Sequence, residues 1–398
     1  MSKTVTPDDL LGLDSVFSKE DLEWAGIVRK WLDDNVRDHI GDYYLEGTIP
    51  ARELAVGLGE LGVLGMHLEG YGCPGASATQ YGLACRELEA VDSGLRSLVS
   101  VQGSLAMFAI HHWGSEEQKE EWLPQMAAGT AIGCFGLTEP DVGSDPSGMR
   151  TFAKKDGDDW VLNGAKMWIT NSPVSDVMVV WAKTEETDDQ GRNVVRGFVI
   201  PTATPGVEVP VVKRKLSLRA SITGEIVLDN VRLPASAMLP KAKGLRGPLS
   251  CLSEARYGIV FGVTGAARDA IESALDYTGT RIQFDRPISS FQITQQKIAK
   301  AFGQYSSITL LAAHIGKIKD TTGVSPEQIS LGKMVGVDTA MNICRDLRAL
   351  FGGSGITSEY SPLRHAINLE TVLTYEGTHE VHQLTLGRAL TGINAFAN

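Results

Sequence analysis

The hydrophobic pattern of the chain changes twice along its length, and this change limits the folds that the chain can adopt. From Ser18 to Ala131, apolar residues recur at the three- to four-residue spacing of amphipathic helices. From Ile132 to about Leu239, short β-branched runs alternate with turns, which is typical of an antiparallel barrel or sandwich. From about Gly244 onward, long helical patterns return and suit a helical bundle. The sequence therefore predicts an α+β multidomain fold in the order α, β, α.

Three domains are expected from this pattern, because 398 residues exceed one ordinary core of roughly 100–200 residues. They are an N-terminal α-helical domain (residues 1–132), a central antiparallel β-barrel or sandwich domain (133–243) and a C-terminal α-helical bundle (244–398). Ser18, with Asp21 three residues later, has the pattern of a helix N-cap. Asn163 and Gly164 separate two β-rich runs and predict a hairpin turn there.

Charge and apolar runs narrow the function class. With 37 basic and 48 acidic residues, the net charge is −11, which argues against nucleic acid or an anionic membrane as the main partner. No apolar run reaches 18 residues, so no membrane insertion is expected. The first residues contain acids and lack an apolar stretch, unlike a secretory or mitochondrial leader. We expect a bacterial cytoplasmic protein, or a mitochondrial matrix protein whose leader has been removed.

Cysteine and motif patterns exclude several kinds of site. The five cysteines are far apart and form no CxxC pair, so they predict free, mostly buried thiols in a reducing compartment. Residues 57–62 match GxGxxG, but a helical pattern precedes them, whereas a dinucleotide site requires a strand. His379 and His382 are three residues apart in HExH, which is not the HExxH spacing of a zinc helix. We expect no metal site.

Three polar segments carry the candidate chemistry. Residues 134–145, CFGLTEPDVGSD, form a strand that opens into a loop of glycines, hydroxyls and acids, which suits a polar ligand. Trp168 and Thr170 can stack on and hydrogen-bond a planar cofactor. Glu376, in TYEGTHE, lies between two helical stretches, and Thr378 can cap the second helix. Taken alone, a capped turn, a buried strand end and a solvated glutamate are simpler interpretations of these segments.

Taken together and in this order, the three segments resemble the acyl-CoA dehydrogenase family, and the resemblance covers nearly the whole chain. Residues 134–145 and the WIT strand resemble its flavin-binding regions, and YEGT resembles its catalytic loop. Residues 281–292, RIQFDRPISSFQ, resemble the stretch that reaches the FAD of a neighbouring subunit, and residues 351–356, FGGSGI, resemble a Gly-rich turn. The resemblance implies FAD as cofactor, an acyl-CoA thioester as substrate, electron-transferring flavoprotein as acceptor and a homotetramer.

The resemblance also implies roles for individual residues. Glu376 removes the α-proton of the thioester while a hydride leaves the β-carbon for the flavin. The residues implied to bind FAD are Phe135, Leu137, Thr138, Gly143, Ser144, Trp168, Ile169, Thr170, Arg281, Phe284, Gln292, Ala349, Gly352, Gly353, Thr378 and Glu380. The residues implied to bind substrate are Arg96, Ser97, Glu89, Ser144, Arg256, Tyr257, Tyr375, Gly377 and Phe396. Ala349 departs from relatives with a polar residue there, so its flavin contact is through backbone alone.

Within the family, five segments are similar to the glutaryl-CoA dehydrogenases: residues 86–105, 135–149, 215–231, 254–259 and 374–396. Glutaryl-CoA carries a distal carboxylate, and a planar guanidinium binds such a group through two hydrogen bonds. Arg96 is the candidate cation, Ser97 a neutral donor, and Glu89, two helical turns earlier, can position Arg96. Leu95 departs from relatives that carry tyrosine. The similarity implies dehydrogenation followed by decarboxylation to crotonyl-CoA and CO2.

Several alternatives to these assignments remain. Arg96 and Glu89 can instead form a surface pair, worth about 0–1 kcal/mol. Arg256 can pair with Glu254 at a helix start instead of lying near the thioester. The chain can be a short-chain acyl-CoA dehydrogenase or an acyl-CoA oxidase of the same fold, since no motif reports the electron acceptor. A non-catalytic acyl-CoA-binding protein is a further alternative, against which the intact YEGT segment argues.

Overall fold

A computed structural model describes residues 6–396, so residues 1–5 and 397–398, at the outer ends of two expected domains, lie outside the described residues. The first third of the chain is helical, as predicted. Its helices are α1 (Pro7–Leu11), α2 (Lys19–Asn35), α3 (Ile40–Glu46), α4 (Ala51–Glu60), α5 (Ala78–Val91), α6 (Ser93–Ser100), α7 (Phe108–Trp113) and α8 (Glu116–Ala127). Two short strands, β1 (Glu69–Gly70) and β2 (Cys73–Pro74), pair between α4 and α5. A π-helical segment, Val101–Met107, joins α6 to α7.

The start of α2 confirms the capping prediction. The Ser18 side chain accepts a hydrogen bond from the Asp21 backbone N–H, and the Asp21 carboxylate accepts one from the Ser18 N–H. These two bonds satisfy backbone donors that a helix N-terminus otherwise leaves unpaired. The apolar side chains of the helix, Ala25, Val28 and Leu32, are buried at helical spacing.

A seven-stranded sheet forms the middle of the chain. Its strands are β3 (Gly133–Gly136), β4 (Phe152–Asp156), β5 (Asp159–Thr170), β6 (Val177–Thr187), β7 (Asn193–Pro201), β8 (Val207–Glu208) and β9 (Thr223–Leu233). The order across the sheet is β3-β6-β4-β5-β9-β8, and β7 also pairs with β6. Most neighbours are antiparallel, as expected, but β6 runs parallel to both β3 and β4. The α, β, α order of the fold is confirmed.

The hairpin turn predicted at Asn163 and Gly164 is wrong. Both residues lie inside the single strand β5, and the turn instead joins Asp156 to Asp159. The register of β5 against β9 shifts between Leu162 and Gly164, which marks a β-bulge. A Cβ at Gly164 would lie 2.6 Å from Thr151 Oγ1, so this glycine is required for close packing and not for a turn.

The C-terminal helices are long, as predicted. They are α9 (Arg246–Thr280), α10 (Gln292–Thr321), α11 (Pro326–Arg348), α12 (Ser361–Thr374) and α13 (His379–Thr391). A small exposed hairpin, β10 (Ile282–Gln283) with β11 (Arg286–Pro287), connects α9 to α10. One apolar core runs from α2 and α5 into α9 and α10, so the two helical regions pack on each other. This packing brings residues distant in sequence to one site.

The smaller sequence predictions can also be compared with the structure. All five cysteines are buried and free, as expected. Residues 57–60 of the GxGxxG match lie in α4, which follows helix α3 and no strand. Within residues 6–396, no group of three or more His, Cys, Asp or Glu side chains has the geometry of a metal site. No helix of that range combines the length and apolar character needed to cross a bilayer.

The bulge at Gly164 yields a stability prediction. Gly164→Ala places a methyl group against Thr151, and we expect a loss of about 1–3 kcal/mol from overpacking. Gly279→Ala is the matched control, because nothing lies within 4 Å of a Cβ at that helical position. We expect thermal unfolding at a lower temperature for the first variant and at an unchanged or higher one for the second. Equal unfolding temperatures would contradict the packing argument.

Candidate active site

A cavity of about 890 Å³ lies between one end of the sheet, α9 and the loop 375–378 that joins α12 to α13. Its volume lies in the range of sites for cofactors and drug-sized ligands. Fourteen of the residues predicted to form the site line it: Ser97, Phe135, Leu137, Thr138, Gly143, Ser144, Trp168, Ile169, Thr170, Arg256, Tyr375, Glu376, Gly377 and Thr378. Residues that are up to 281 positions apart in the sequence thus meet at one cavity.

The sheet side of the cavity is held by a buried ion pair. Lys166 Nζ lies 2.8 Å from Glu139 Oε1 and donates a second hydrogen bond, of 3.2 Å, to the Leu137 carbonyl oxygen. Glu139 also accepts from the backbone N–H groups of Arg150 and Thr151, at 2.6 and 3.0 Å. The cavity loop after β3 is therefore tied to the neighbouring strands at its start.

Trp168 presents an aromatic side chain on the cavity wall. It lies in a second irregularity of β5, between Lys166 and Ile169, with a φ of +63°. Its side chain is 58% exposed, which is unusual for tryptophan in a strand. A left-handed backbone at a bulky residue is strained, and such strain is found at ligand sites. Trp168 thus offers a planar apolar surface next to the Thr170 hydroxyl.

The opposite wall is the 375–378 loop, whose backbone is held by two cations. Glu376 and Gly377 have φ values of +55° and +94°. Arg256 Nε donates to the Glu376 carbonyl oxygen at 2.5 Å. Lys333 Nζ donates to the carbonyl oxygens of both Tyr375 and Gly377, the latter at 2.6 Å. Three successive carbonyl oxygens therefore accept hydrogen bonds from buried or half-buried cationic side chains.

The end of this loop follows the capping prediction. The Thr378 side chain accepts a hydrogen bond of 3.3 Å from the Val381 N–H and so caps α13. Because the cap fixes where α13 begins, it also fixes the direction in which the chain continues two residues after Glu376.

The Glu376 carboxyl group is buried, and this raises its pKa above the ordinary value of 4.5. The positive charges of Arg96, Lys333 and Arg256 act in the opposite direction. Oε2 has no hydrogen-bond partner within the described part of the chain. A cavity-lining carboxylate with a raised pKa and an oxygen without a hydrogen-bond partner has the properties of a general base. The simpler interpretation as a solvated loop glutamate does not fit this burial.

Arg96 and Glu89 form a buried pair and not a surface pair. Arg96 Nε lies 2.8 Å from Glu89 Oε2, and both side chains are fully buried. Contrary to the prediction, the two residues do not lie two turns apart on a single helix, because Asp92 has an extended backbone and separates α5 from α6. A Cβ at Gly262 of α9 would lie 2.2 Å from Glu89 Oε2, so the pair requires glycine there. Each charge is thereby neutralised in the low-dielectric interior.

Tyr375 and Ser97 separate Arg96 from the cavity. Arg96 Nη2 donates to the Tyr375 hydroxyl, and the Ser97 and Tyr375 hydroxyl oxygens lie 3.2 Å apart. Burial raises the pKa of Tyr375 to about 12, so this hydroxyl keeps its proton and can donate it. Arg96 Nη1 is buried and lacks a hydrogen-bond partner among residues 6–396. This end of the cavity is therefore rich in hydrogen-bond donors.

Arg256 contacts the 375–378 loop and not its neighbour in sequence. The alternative partner, Glu254, instead lies 2.9 Å from Lys319 Nζ. The Arg256 side chain lines the cavity and reaches the backbone of Glu376. The helix-start interpretation is therefore wrong, because α9 begins ten residues earlier, at Arg246.

Other predicted residues are not brought to this cavity in the single chain. Tyr257 is fully buried and donates to the Ala78 carbonyl oxygen at 2.7 Å, which directs its hydroxyl to α5. Glu89 and Arg96 lie behind the wall, and Glu380 is exposed in the first turn of α13. The remaining predicted residues outside the wall are Arg281, Phe284, Gln292, Ala349, Gly352, Gly353 and Phe396.

The sequence predictions missed several cavity residues and one buried cation. The missed wall includes part of the loop before β9 and the last turns of α12: Val212, Arg214, Lys215, Leu216, Ser217, Leu218, Glu370, Thr371 and Thr374. Lys333 was missed because single lysines are usually solvated. A signal was present, since Ile329, Gly336 and Val337 place position 333 on the buried face of α11.

Comparisons with known proteins agree with this fold and site. Residues 18–130, 134–231 and 242–391 match the N-terminal, middle and C-terminal domains of acyl-CoA dehydrogenases. A glutaryl-CoA dehydrogenase from Mycobacterium smegmatis, solved in complex with FADH2, is 57% identical with a TM-score of 0.96, covering 99% of this chain and all of the other. A second structure of glutaryl-CoA dehydrogenase from that organism is 59% identical with a TM-score of 0.95 and the same coverage.

A more distant relative is the short-chain-specific acyl-CoA dehydrogenase of Megasphaera elsdenii. It is 33% identical over 360 residues, which cover 89% of this chain and 92% of the relative. The fold and site define a flavin-dependent oxidoreductase. The chain belongs to the acyl-CoA dehydrogenase family and is an FAD-dependent acyl-CoA dehydrogenase.

The residues of the cavity fit FAD. The exposed Trp168 side chain and the buried Phe135 and Leu137 supply apolar surface for a planar ring system. Thr138, Ser144 and Thr170 supply hydroxyl groups on the same wall. Glu376, whose Oε2 is buried and has no hydrogen-bond partner among the described residues, lines the same cavity. A substrate held between the two sides lies next to both a ring system and a carboxylate.

The raised pKa of Glu376 predicts a pH-dependent reductive step. As the candidate base, Glu376 accepts a proton only when ionised, so the rate of flavin bleaching should fall as the pH decreases through its pKa. We expect the midpoint above 4.5, the ordinary value for glutamate. Anaerobic stopped-flow with butyryl-CoA from about pH 5 to 8 measures it. A rate that does not change over that range would contradict the prediction.

Proposed function

We propose that this enzyme is a glutaryl-CoA dehydrogenase that oxidises and decarboxylates glutaryl-CoA to crotonyl-CoA and CO2, and passes the electrons to electron-transferring flavoprotein. The observation that carries the proposal is the buried Arg96 next to two cavity hydroxyls at the end of the site. The identity of 57–59% to two glutaryl-CoA dehydrogenase structures supports it.

The charge balance around Glu376 favours an anionic acyl group. The charges that act on Glu376 come from the cations Arg96, Arg256 and Lys333 and from the acid Glu89, so an ionised Glu376 leaves an excess of positive charge while Lys333 is protonated. A distal carboxylate of the substrate neutralises that excess, and a methyl terminus does not. Buried charges are costly unless paired, so the site favours the dicarboxylate thioester.

The protein residues divide the reaction between them. FAD, when bound, accepts the hydride from the β-carbon. Glu376 accepts the α-proton on its unpaired oxygen, and its backbone N–H is the proposed donor to the thioester carbonyl. Arg256 fixes the orientation of that peptide through the Glu376 carbonyl oxygen. The hydroxyls of Tyr375 and Ser97, with Arg96 behind them, hold the distal carboxylate during this step.

Decarboxylation follows from the product of the first step. In the enoyl thioester, the bond between the γ-carbon and the carboxylate breaks, and its electron pair is delocalised toward the thioester carbonyl as CO2 leaves. Glu376, now protonated, returns its proton to the γ-carbon and gives crotonyl-CoA. The same carboxyl group therefore serves as base and then as acid, which its raised pKa permits.

The proposed homotetramer has a structural basis in the residues that lie outside the cavity. Phe284 is 86% exposed at the tip of the β10–β11 hairpin, and Ile282 and Ile293 beside it are more than half exposed. A neighbouring subunit covers these apolar side chains in the proposed assembly. Arg281 and Gln292 then contact the FAD of that subunit, as the family resemblance implies.

A second candidate is a short-chain acyl-CoA dehydrogenase. It is favoured by the 33% identity to the Megasphaera elsdenii enzyme that is specific for short chains. The substrate separates the candidates, because a short monocarboxylic thioester such as butyryl-CoA has no group that pairs with Arg96. An oxidase is distinguished by oxygen consumption with the same substrates.

Glu376→Gln should lower the rate of flavin bleaching by at least about a hundredfold, because the amide does not accept the α-proton. Bound FAD and binding of acyl-CoA should be retained. Glu359→Gln is the matched control, since Glu359 is exposed and lies outside the cavity. Substantial turnover by Glu376→Gln under anaerobic single-turnover conditions would assign the base to another group.

Arg96→Met should lower bleaching by glutaryl-CoA roughly tenfold to a hundredfold more than bleaching by butyryl-CoA, because the positive charge behind the Tyr375 and Ser97 hydroxyls no longer stabilises the distal carboxylate that they hold. Because the single change leaves Glu89 unpaired, the double variant Glu89→Gln/Arg96→Met is measured beside it. The wild-type enzyme should prefer glutaryl-CoA and release crotonyl-CoA by mass. Equal losses on both substrates would make Arg96 structural, and glutaconyl-CoA as the final product would exclude decarboxylation.

A further inference from the structure

We propose that Lys333 is a positioning residue that fixes the backbone on both sides of Glu376 and keeps a positive charge close to its carboxylate. The inference rests on the proposed function in one respect, since it takes Glu376 as the base. It is independent of the glutaryl group, because Lys333 does not line the cavity. Lys333 lies behind the 375–378 loop, on α11.

The hydrogen bonds of Lys333 connect both flanks of Glu376. Its Nζ donates to the carbonyl oxygens of Tyr375 and Gly377, which are the residues directly before and after the base. Two anchors on either side of one residue restrict the rotation of both its peptide groups. The side chain of Glu376 therefore has a fixed origin from which it reaches the cavity.

The loop requires such anchors because its backbone is strained. Glu376 has a left-handed φ of +55°, a conformation that glutamate adopts rarely. Such a conformation persists only where the surroundings fix it. Within the described residues, no backbone N–H group donates a hydrogen bond to the carbonyl oxygens of Tyr375, Glu376 or Gly377. Lys333 and Arg256 supply the missing partners.

The charge of Lys333 also distinguishes it from structural buried cations. Arg268, Arg364 and Lys166 each lie within 3.1 Å of a carboxylate oxygen. Lys333 is 1% exposed, and among residues 6–396 it forms hydrogen bonds to backbone carbonyls but no ion pair. Its hydrogen-bond acceptors are neutral carbonyls, and the acid that acts on its charge is Glu376. A buried ammonium without its own counterion is costly to maintain, so its charge serves Glu376.

The groups around Glu376 determine how its pKa responds to the loss of this charge. Arg96 and Glu89 face it from α6 and α5, Arg256 from α9 and Lys333 from α11. From α13, His382 packs on Gly377, and burial lowers its pKa to about 3, so it is neutral.

Burial lowers the pKa of Lys333 itself to about 7, while the negative charge of Glu376 raises it. An ionised Glu376 and a protonated Lys333 therefore stabilise each other. Removing the cation raises the pKa of Glu376, because its charged form loses a favourable neighbour. The pH at which the base becomes active then increases.

The test compares variants of the FAD-loaded enzyme in anaerobic bleaching by butyryl-CoA across pH. Lys333→Met removes the hydrogen bonds and the charge. We expect a rate lower on the order of tenfold to a hundredfold at neutral pH, because the base is misplaced, and a midpoint at higher pH. Lys333→Gln keeps two N–H donors without the charge. Its rate at neutral pH should therefore lie between that of Lys333→Met and that of the wild type, and the midpoint of its pH profile should remain at higher pH.

Arg37→Met is the matched control for stability. Arg37 joins Asp33 and Asp269 at 2.6 and 2.8 Å, so its loss also removes a cation between helical elements, but away from the cavity. It should lower the unfolding temperature and leave the midpoint of the pH profile unchanged. If Lys333→Met does not give a folded flavoprotein, the proposal is tested by the midpoint of the pH profile of Lys333→Gln.

Two results would overturn the proposal: a wild-type rate and midpoint for Lys333→Met, or a wild-type midpoint for Lys333→Gln. Failure of the proposed function gives a different result. Substantial turnover by Glu376→Gln would remove the base assignment itself, and the role of Lys333 with it. A preference for butyryl-CoA would remove the glutaryl assignment, and the Lys333 measurement would remain valid.

Discussion

The burial of a carboxyl group that must still ionise is the constraint on which the site depends. Glu376 is withdrawn from water, which raises its pKa, and it lies on a strained backbone. Both costs are offset by cations from separate parts of the chain. Arg96 comes from α6, Arg256 from α9 and Lys333 from α11. The site therefore exists only when the N-terminal and C-terminal helices are packed together, which explains why one apolar core spans both.

The sheet supplies what the helices do not. Helices place charged side chains near Glu376, whereas the irregular strand β5 places an aromatic ring and a nearby hydroxyl on the cavity wall. The order α, β, α puts these two surfaces on opposite sides of one cavity. A substrate between them meets a flat cofactor on one side and a carboxylate on the other. The chemistry needs that separation because proton and hydride leave from adjacent carbons to different acceptors.

The order of the fold and the cap at Ser18 could be predicted from sequence because their signals, periodicity and capping residues, are local. The site residues were predicted only from the resemblance of three ordered segments to a known family, because each segment taken alone has a simpler interpretation. The hairpin prediction at Asn163 and Gly164 was wrong because the sequence does not distinguish a glycine required for close packing from a glycine required for a turn. Tyr257 was predicted to bind substrate, but its side chain is directed to α5, because packing against α5 determines which side of α9 faces the cavity. The apolar face of α11 indicates that Lys333 is buried, but its acceptors are backbone carbonyls 42 and 44 residues away, and no sequence pattern indicates those contacts.

The cations around the proposed base separate into two functions by their position. Arg96 reaches the cavity through the Tyr375 and Ser97 hydroxyls, so its effect depends on what the acyl chain carries at its far end. Lys333 reaches only the backbone behind Glu376, so its effect is the same for every acyl chain. Both cations lie near the Tyr375 ring, Arg96 at 5.6 Å and Lys333 at 5.8 Å from its centre, and the positive charge of each opposes the rise in the pKa of Glu376. They differ in their other contacts, which are cavity hydroxyls for Arg96 and loop carbonyl oxygens for Lys333. In the proposed mechanism, a change of Arg96 therefore alters both the acyl preference and the pKa of Glu376, whereas a change of Lys333 alters the pKa and the loop without altering the acyl preference.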